Sequence, residues 1–132
     1  MRTPHDRRMN HLLQIVALAA AGAAGTLLRA GCTTAAVKLF GSSFPWGTLT
    51  ANVAGSFAFG AIYALTRTRG ITPEQETVLL VGLLGGFTSY SSFAFQSVAL
   101  LESGRAAAAL AYMAFTNVAG LVAVWAGLRL CR

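Results

Sequence analysis

Three stretches of about twenty residues or more, Trp46 to Leu65, Val78 to Leu101 and Ala106 to Leu128, contain no charged side chain, and a fourth, Leu12 to about Leu28, ends against Arg29. Roughly 20 apolar residues in a helix cross the hydrocarbon core of a bilayer. Lipid offers no water to backbone N–H and C=O groups, so such segments must satisfy them internally, as helices do. The chain is therefore expected to be an all-α membrane protein with four transmembrane helices. Its composition agrees: 11% of its residues are charged, against about 25% in soluble domains.

The third stretch is unlike the others. Gly82 to Phe95 reads GLLGGFTSYSSFAF, placing helix-weakening glycines and a run of hydroxyls midway through a segment of membrane length. Backbone groups freed at that depth are tolerated only when buried in protein or lining a polar cavity. A broken third helix and an ion or solute site are expected there.

The net charge of +6 does not point to nucleic acid, because the basic residues flank the apolar stretches and form no stripe with interleaved aromatics. They read as topology signals instead. Arg2, Arg7, Arg8, Arg67, Arg69, Arg129 and Arg132 fall on one side of a four-span subunit, and Lys38, Arg105 and the span-end Arg29 on the other. That bias favours both termini in the cytoplasm. Cys32 and Cys131 then follow spans ending on opposite faces, and with no CxxC or neighbouring His they form no redox or metal motif. Arg7-Arg8 followed by Leu12 to Ala20 and small residues also has a secretory-signal pattern. Apolarity continues to Leu28, however, and cleavage would leave three spans without Arg29, so the first helix is expected to be retained.

Short turns join the spans: Gly41 to Pro45, the polar Thr66 to Pro73, and Glu102 to Arg105. Residues 1–11 form a basic flank, its first ten residues expected to be mobile, and residues 12–132 one four-helix membrane domain. Asn-Val-Ala-Gly occurs at Asn52 to Gly55 and again at Asn117 to Gly120. Its surroundings do not match, so it reads as close packing through small residues rather than duplication.

Polar residues recur at helical spacing. Thr48, Asn52, Ser56 and Gly60 form one stripe, and Tyr112, Thr116 and Gly120 a second. Such stripes can simply let membrane helices approach and hydrogen-bond. Asn52 can equally bind a ligand, since a primary amide near mid-membrane needs several partners. Tyr112 can be a belt residue, lying near the start of its span. Tyr90 and Phe93 sit three apart among Thr88, Ser89, Ser91 and Ser92, and a ring edge carries positive quadrupole that can face an anion. Arg29 either snorkels or draws an anion into a vestibule. Asp6, Glu74, Glu76 and Glu102 all fall outside the spans or at their edges. A proton-coupled cation exporter needs a carboxylate within them, and no nucleophile–base pair or phosphate loop supports an enzyme. Neutral donors with a cation at the entrance suit an anion.

At these residues the chain resembles the Fluc (CrcB) family of fluoride channels, over nearly all its length after the first ten residues. GxxGxxxR is present as Gly22, Gly25 and Arg29, and GTLxxNxxGSFxxG runs from Gly47 to Gly60. GGFTSYSSF is similar to the family's GG-x-TT-F-ST-F, and Tyr112 with Thr116 to its fourth-span tyrosine and hydroxyl. The resemblance implies a single four-helix transmembrane channel domain in an antiparallel dual-topology-type dimer, in a prokaryotic cell membrane. It also implies two fluoride pathways and a structural, non-transported sodium ion held by the backbone carbonyls of Gly85 and Thr88. Asn52, Tyr90, Ser92, Phe93, Tyr112 and Thr116 would line the fluoride pathway, with Arg29 attracting the anion.

The function so implied is passive export of cytoplasmic fluoride, lowering its toxicity, with no catalytic step. Three departures from the pattern stand out: Tyr90 replaces the usual Phe, Ser89 and Ser92 replace threonines, and Gln96 stands where Glu is common. The charge bias further suggests pairing with an oppositely oriented paralogue as the alternative to a homodimer. A small multidrug-type exporter and a non-conducting assembly subunit are the competing readings.

Overall fold

In the computed structural model the chain is described from Pro4 to Arg132, with side chains from Asn10 onward, and every regular element among these residues is helical. Readings that rest on Arg2, Asp6, Arg7 and Arg8, and most of the segment expected to be mobile, fall outside those side chains. Helix α1 spans Pro4–Phe40, α2 Trp46–Thr68 and α6 Ala106–Leu130. Between α2 and α6 the chain forms α3 (Pro73–Thr77), a wide π-helical segment π1 (Val78–Leu84), α4 (Gly85–Phe87) and α5 (Tyr90–Glu102). Four helical stretches are long and apolar enough to cross a membrane: Asn10–Phe40, Trp46–Thr68, Pro73–Glu102 and Ala106–Leu130.

The first helix outruns the apolar window read from the sequence. It continues past Leu28 and through Arg29 to Phe40, so Cys32 lies within it rather than after it. Arg29 does not end the helix because its side chain turns onto the third span, and Ala30, Ala35 and Ala36 are strong helix formers. Its 37 residues, at about 1.5 Å each, exceed a hydrocarbon core of about 30 Å. Both cysteines are free thiols.

The turns follow ordinary helix-stop chemistry. Gly41 and Gly104 adopt φ of 80° and 76°, the left-handed conformation that closes a helix C-terminus. Arg105 donates from its guanidinium to the Ser43 carbonyl, which ties the α5–α6 turn to the α1–α2 loop. Thr72 and Gln75 form a reciprocal capping box at the start of α3.

Close helix approach depends on glycine. A side-chain carbon on Gly60 would strike the Val124 carbonyl and one on Gly127 the Phe57 carbonyl, so α2 and α6 pack backbone to backbone. Helix α1 meets the third span the same way: a Cβ on Gly25 would collide with the Leu83 carbonyl and the Phe87 amide, and one on Gly86 with the Gly22 carbonyl. Lipid tails are as apolar as leucine, so this tight van der Waals packing carries much of the association between spans. Leu49, Phe93, Leu100, Ala109 and Tyr112 form the buried apolar cluster. The two Asn-Val-Ala-Gly segments are not equivalent. Asn52 reaches across to the third span, whereas Asn117 donates back to Met113 of its own helix.

Alanine substitutions at two glycines of α1 should separate close packing from helix propensity. Gly25→Ala is expected to lower the unfolding midpoint in detergent, by an overpacking cost of about 1–3 kcal/mol. A Cβ on Gly31 would meet nothing within 4 Å, so Gly31→Ala should leave the midpoint unchanged or raise it by up to about 1 kcal/mol. Equal destabilisation by both would contradict the packing described.

Candidate ion site at the third-span interruption

Thr88 and Ser89 are extended, with φ/ψ of −86°/158° and −150°/103°, between the end of α4 and the start of α5. The glycines expected to weaken this span do not supply the extended residues: Gly85 and Gly86 are helical, and Gly82 lies in π1. The absent side chains of Gly82 and Gly86 serve the contact with α1 instead. The hydroxyl residues make the interruption, because Ser and Thr side chains offer the backbone alternatives to helical hydrogen bonds.

Those alternatives are explicit in the bonding. The Ser89 amide donates to Asn52 Oδ1 at 2.8 Å, and Asn52 Nδ2 donates to the Ser89 carbonyl at 3.3 Å, so one side chain from α2 pairs both backbone groups of the extended residue. The Ser89 hydroxyl caps α5 by accepting from the Ser92 amide at 3.1 Å and donates to Ser92 Oγ at 2.7 Å. The Thr88 amide and hydroxyl both donate to the Leu84 carbonyl, at 2.9 and 3.0 Å. From α1, Arg29 Nε donates to the Gly86 carbonyl at 3.2 Å and Nη1 to Ser92 Oγ at 3.5 Å.

Two carbonyls lose their usual helical donors as a result. A helical Gly85 carbonyl would accept from the Ser89 amide and a helical Thr88 carbonyl from the Ser92 amide, but those amides are bound to Asn52 and to Ser89 Oγ. Both residues line an open groove of about 430 Å³ between α2, the third span and α6, together with Asn52, Ser56, Tyr90, Phe93 and Thr116. Carbonyl oxygens of this kind are hard ligands suited to a small cation. Among the described residues no group of His, Cys, Asp and Glu gathers to hold a metal by side chains.

The remaining residues singled out from the sequence divide between the groove and its surroundings. Thr116 is buried and its hydroxyl has no hydrogen-bond partner. Phe93 is buried, whereas Tyr90 is 80% exposed, their ring centres 5.7 Å apart. Tyr112 is fully buried, which excludes a belt role. Its ring lies 5.3 Å from Phe93 and 5.4 Å, edge-on, from Phe44, and its hydroxyl donates to Gln96 Oε1 at 2.9 Å. Gln96 and Thr48 line a second open cavity of about 300 Å³ beside Ser43 and Arg105. Phe93 and Tyr112 thus stand between the two cavities. Ser92 and Arg29 meet on the α1 side of the third span and do not line the groove.

The sequence reading missed Gln96 as the partner of Tyr112 and Phe44 as its ring neighbour. Gln96 lies three residues beyond Phe93, a spacing that places both on one helix face. Phe44 belongs to a loop and carries no periodic signal.

Comparison with known proteins agrees with these features. Residues 16–128 match the family described as CrcB-like protein, Camphor Resistance (CrcB). A fluoride-specific ion channel FluC of Rhizobium meliloti (strain 1021) is 39% identical over 125 residues, covering 94% of this chain and 98% of the relative. The protein of that name in Shewanella amazonensis is 41% identical over 122 residues, covering 92% and 96%. One from Pseudomonas putida (strain F1) is 42% identical over 119 residues, covering 89% and 96%. With the family match spanning most of its length and relatives of this identity covering both chains nearly end to end, this multi-pass membrane protein belongs to the CrcB family.

Proposed function

We propose that this chain forms a fluoride-specific channel that lets the anion leave the cytoplasm passively. The observation that carries the reading is the buried, unpartnered Thr116 hydroxyl in a groove walled by neutral donors. An anion entering low dielectric gives up hydration worth tens of kcal/mol by Born estimates, so replacement donors must meet it. A hydrogen bond to a charged group is worth about 1.5–3 kcal/mol net, so several in sequence are required. Conduction also needs each to hold the ion weakly enough to let it go. Asn52 retains a second amide proton beyond the one given to Ser89, Phe93 and Thr116 line the same groove, and Tyr112 stands behind Phe93 to continue the path. Tyr90, beside Phe93, brings a second ring to the groove, and Arg29 adds positive charge behind it.

The Gly85 and Thr88 carbonyls would hold a structural sodium ion, contributing fixed positive charge without being transported. Two carbonyls are too few to replace a cation's hydration in lipid. A second subunit, antiparallel to the first, would bring its own pair to the same ion. The exposed Tyr90 and the open groove lie on the face such a subunit would cover. That subunit would be a second copy or, because the charge bias of this chain favours one orientation, an oppositely oriented paralogue.

Proteoliposomes carrying the chain, alone or with a homologue of opposite charge bias, should release fluoride without a proton gradient, and more slowly after sodium is replaced during purification. Drug-coupled proton movement would indicate an exporter instead, and silence in both preparations would leave only an assembly role. Thr116→Val replaces a hydroxyl that bonds nothing in the fold, so its unfolding midpoint should not fall, while efflux drops by about tenfold for one lost bond to a charge. A destabilised protein with unaltered flux would show that the hydroxyl serves packing. For orientation, Cys32 and Cys131 are replaced and a single cysteine is placed at the exposed Ser103 of the α5–α6 turn. Labelling of intact cells from outside only is expected, and equal labelling from both sides would refute a fixed orientation.

A further inference from the structure

We propose that the second cavity, beneath the α1–α2 loop and the α5–α6 turn, is a mouth of the anion path, and that Arg105 is the residue that draws the anion into it. The inference rests on the fluoride-channel reading and deepens it, naming where the ion passes at the end of the bundle away from the chain termini. The cavity holds about 300 Å³. Liquid water occupies about 30 Å³ per molecule, so an ion fits there with part of its hydration shell. Of the side chains that line the cavity, Arg105 alone is charged, and Ser42, Ser43, Thr48 and Gln96 add neutral polar groups.

The cavity and the groove succeed one another along the same three helices. Thr48 lines the cavity, and Asn52, four residues further along α2, lines the groove. Gln96 lines the cavity, and Phe93, three residues earlier in α5, lines the groove. On α6 the groove holds Thr116, and Tyr112, four residues before it, donates to Gln96. Each step is about one helical turn, roughly 5.4 Å. An anion beside Gln96 and Thr48 therefore stands one turn from the donors of the groove, with only the rings of Phe93 and Tyr112 between.

Arg105 is held where its charge can act. Its guanidinium donates to the Ser43 carbonyl, which keeps it at the rim of the cavity. A carbonyl partner leaves the positive charge uncompensated, as a carboxylate would not. Low-dielectric walls focus such a field and raise the local concentration of counter-ions. The residue is also exposed, so water screens it and the anion is attracted without being trapped. Arg29 is engaged by Gly86 and Ser92 and lines neither space. Lys38 lies at the same end of the bundle but outside the cavity lining, which makes it the charge-matched comparison.

The test uses proteoliposomes of the full chain, with the oppositely biased homologue present where the unmodified chain requires it, and compares R105Q, R105K and K38Q. R105Q should slow fluoride efflux about tenfold at low ionic strength. The deficit should shrink below about twofold in an impermeant salt at about 1 M, where the Debye length is about 3 Å. R105K keeps the charge and should stay within about twofold of the unmodified chain, as should K38Q. A loss in R105K equal to that in R105Q, or one that salt does not relieve, would reduce Arg105 to a tie for the turn and overturn the proposal. An equal loss in K38Q would assign the effect to diffuse surface charge and overturn it too. A second measurement needs neither flux nor an Arg105 variant. With Cys32 and Cys131 replaced, Ser42→Cys puts one thiol in the cavity lining. An anionic methanethiosulfonate should modify it at least about fivefold faster than a cationic one, each rate normalised to that with a free thiol. A normalised ratio of one or less would overturn the proposal. A ratio above that in a chain silent toward fluoride, with and without the homologue, would uphold Arg105 as the attractor and overturn the channel reading instead.

Discussion

The pairing of Ser89 with Asn52 is the contact on which the rest of the site depends. Two extended residues inside a membrane-length segment leave backbone donors and acceptors that lipid cannot satisfy, each costing several kcal/mol if left bare. Asn52 answers both polar groups of Ser89 from a different helix, and its planar amide presents acceptor and donor side by side, as the task requires. The Gly86 carbonyl is met by Arg29 and the Ser92 amide by Ser89 Oγ. Side chains from α1, from α2 and from Ser89 itself therefore hold the interruption open, and the carbonyls of Gly85 and Thr88 are spared from helical bonding.

That scheme works only if the helices are close enough for short side chains to reach. The bare backbones of Gly25, Gly82 and Gly86 bring α1 against the third span, and Gly60 and Gly127 bring α2 against α6. Buried neutral groups follow from the same closeness. A cationic side chain donating directly to the anion would hold fluoride too firmly to release it, whereas hydroxyls and amides supply donors without a permanent charge. Arg29 is consistent with this: its Nε is given to a carbonyl and its Nη1 to a hydroxyl, so its charge stands behind the groove lining rather than in it.

Much of this was legible in the sequence because hydrophobicity and spacing are one-dimensional signals. The uncharged stretches placed α2 and α6 from their first residues, although the third span begins at Pro73 rather than Val78, and the polar stripe through Thr48, Asn52, Ser56 and Gly60 identified the face of α2 that meets α6 and the third span. The end of α1 was misplaced because Arg29 looks like a boundary until its partners across 57 and 63 residues of chain are known. The glycines of the third span drew attention to the right region for a different reason from the one they serve. Helix-weakening and close approach call for the same residue, and only the neighbouring backbone tells them apart. Tyr112 looked interfacial by its position along α6, but Phe44 folds back from a loop and seals it.

Gln96 shows how a single departure from a family pattern can keep one contact and change another. Its Oε1 accepts the Tyr112 proton, and a glutamate carboxylate at this position could accept it equally well, so the tyrosine ring stays between Phe93 and Phe44 in either case. The two side chains differ in what remains. A carboxylate leaves only acceptors and a negative charge facing the cavity of Thr48 and Arg105, whereas the amide leaves N–H donors and no charge. An approaching anion meets repulsion in the first case until the carboxyl takes up a proton, and a hydrogen-bond partner at any pH in the second. The polar lining around Tyr112 is thus neutral by composition, as is the groove that holds the Thr116 hydroxyl.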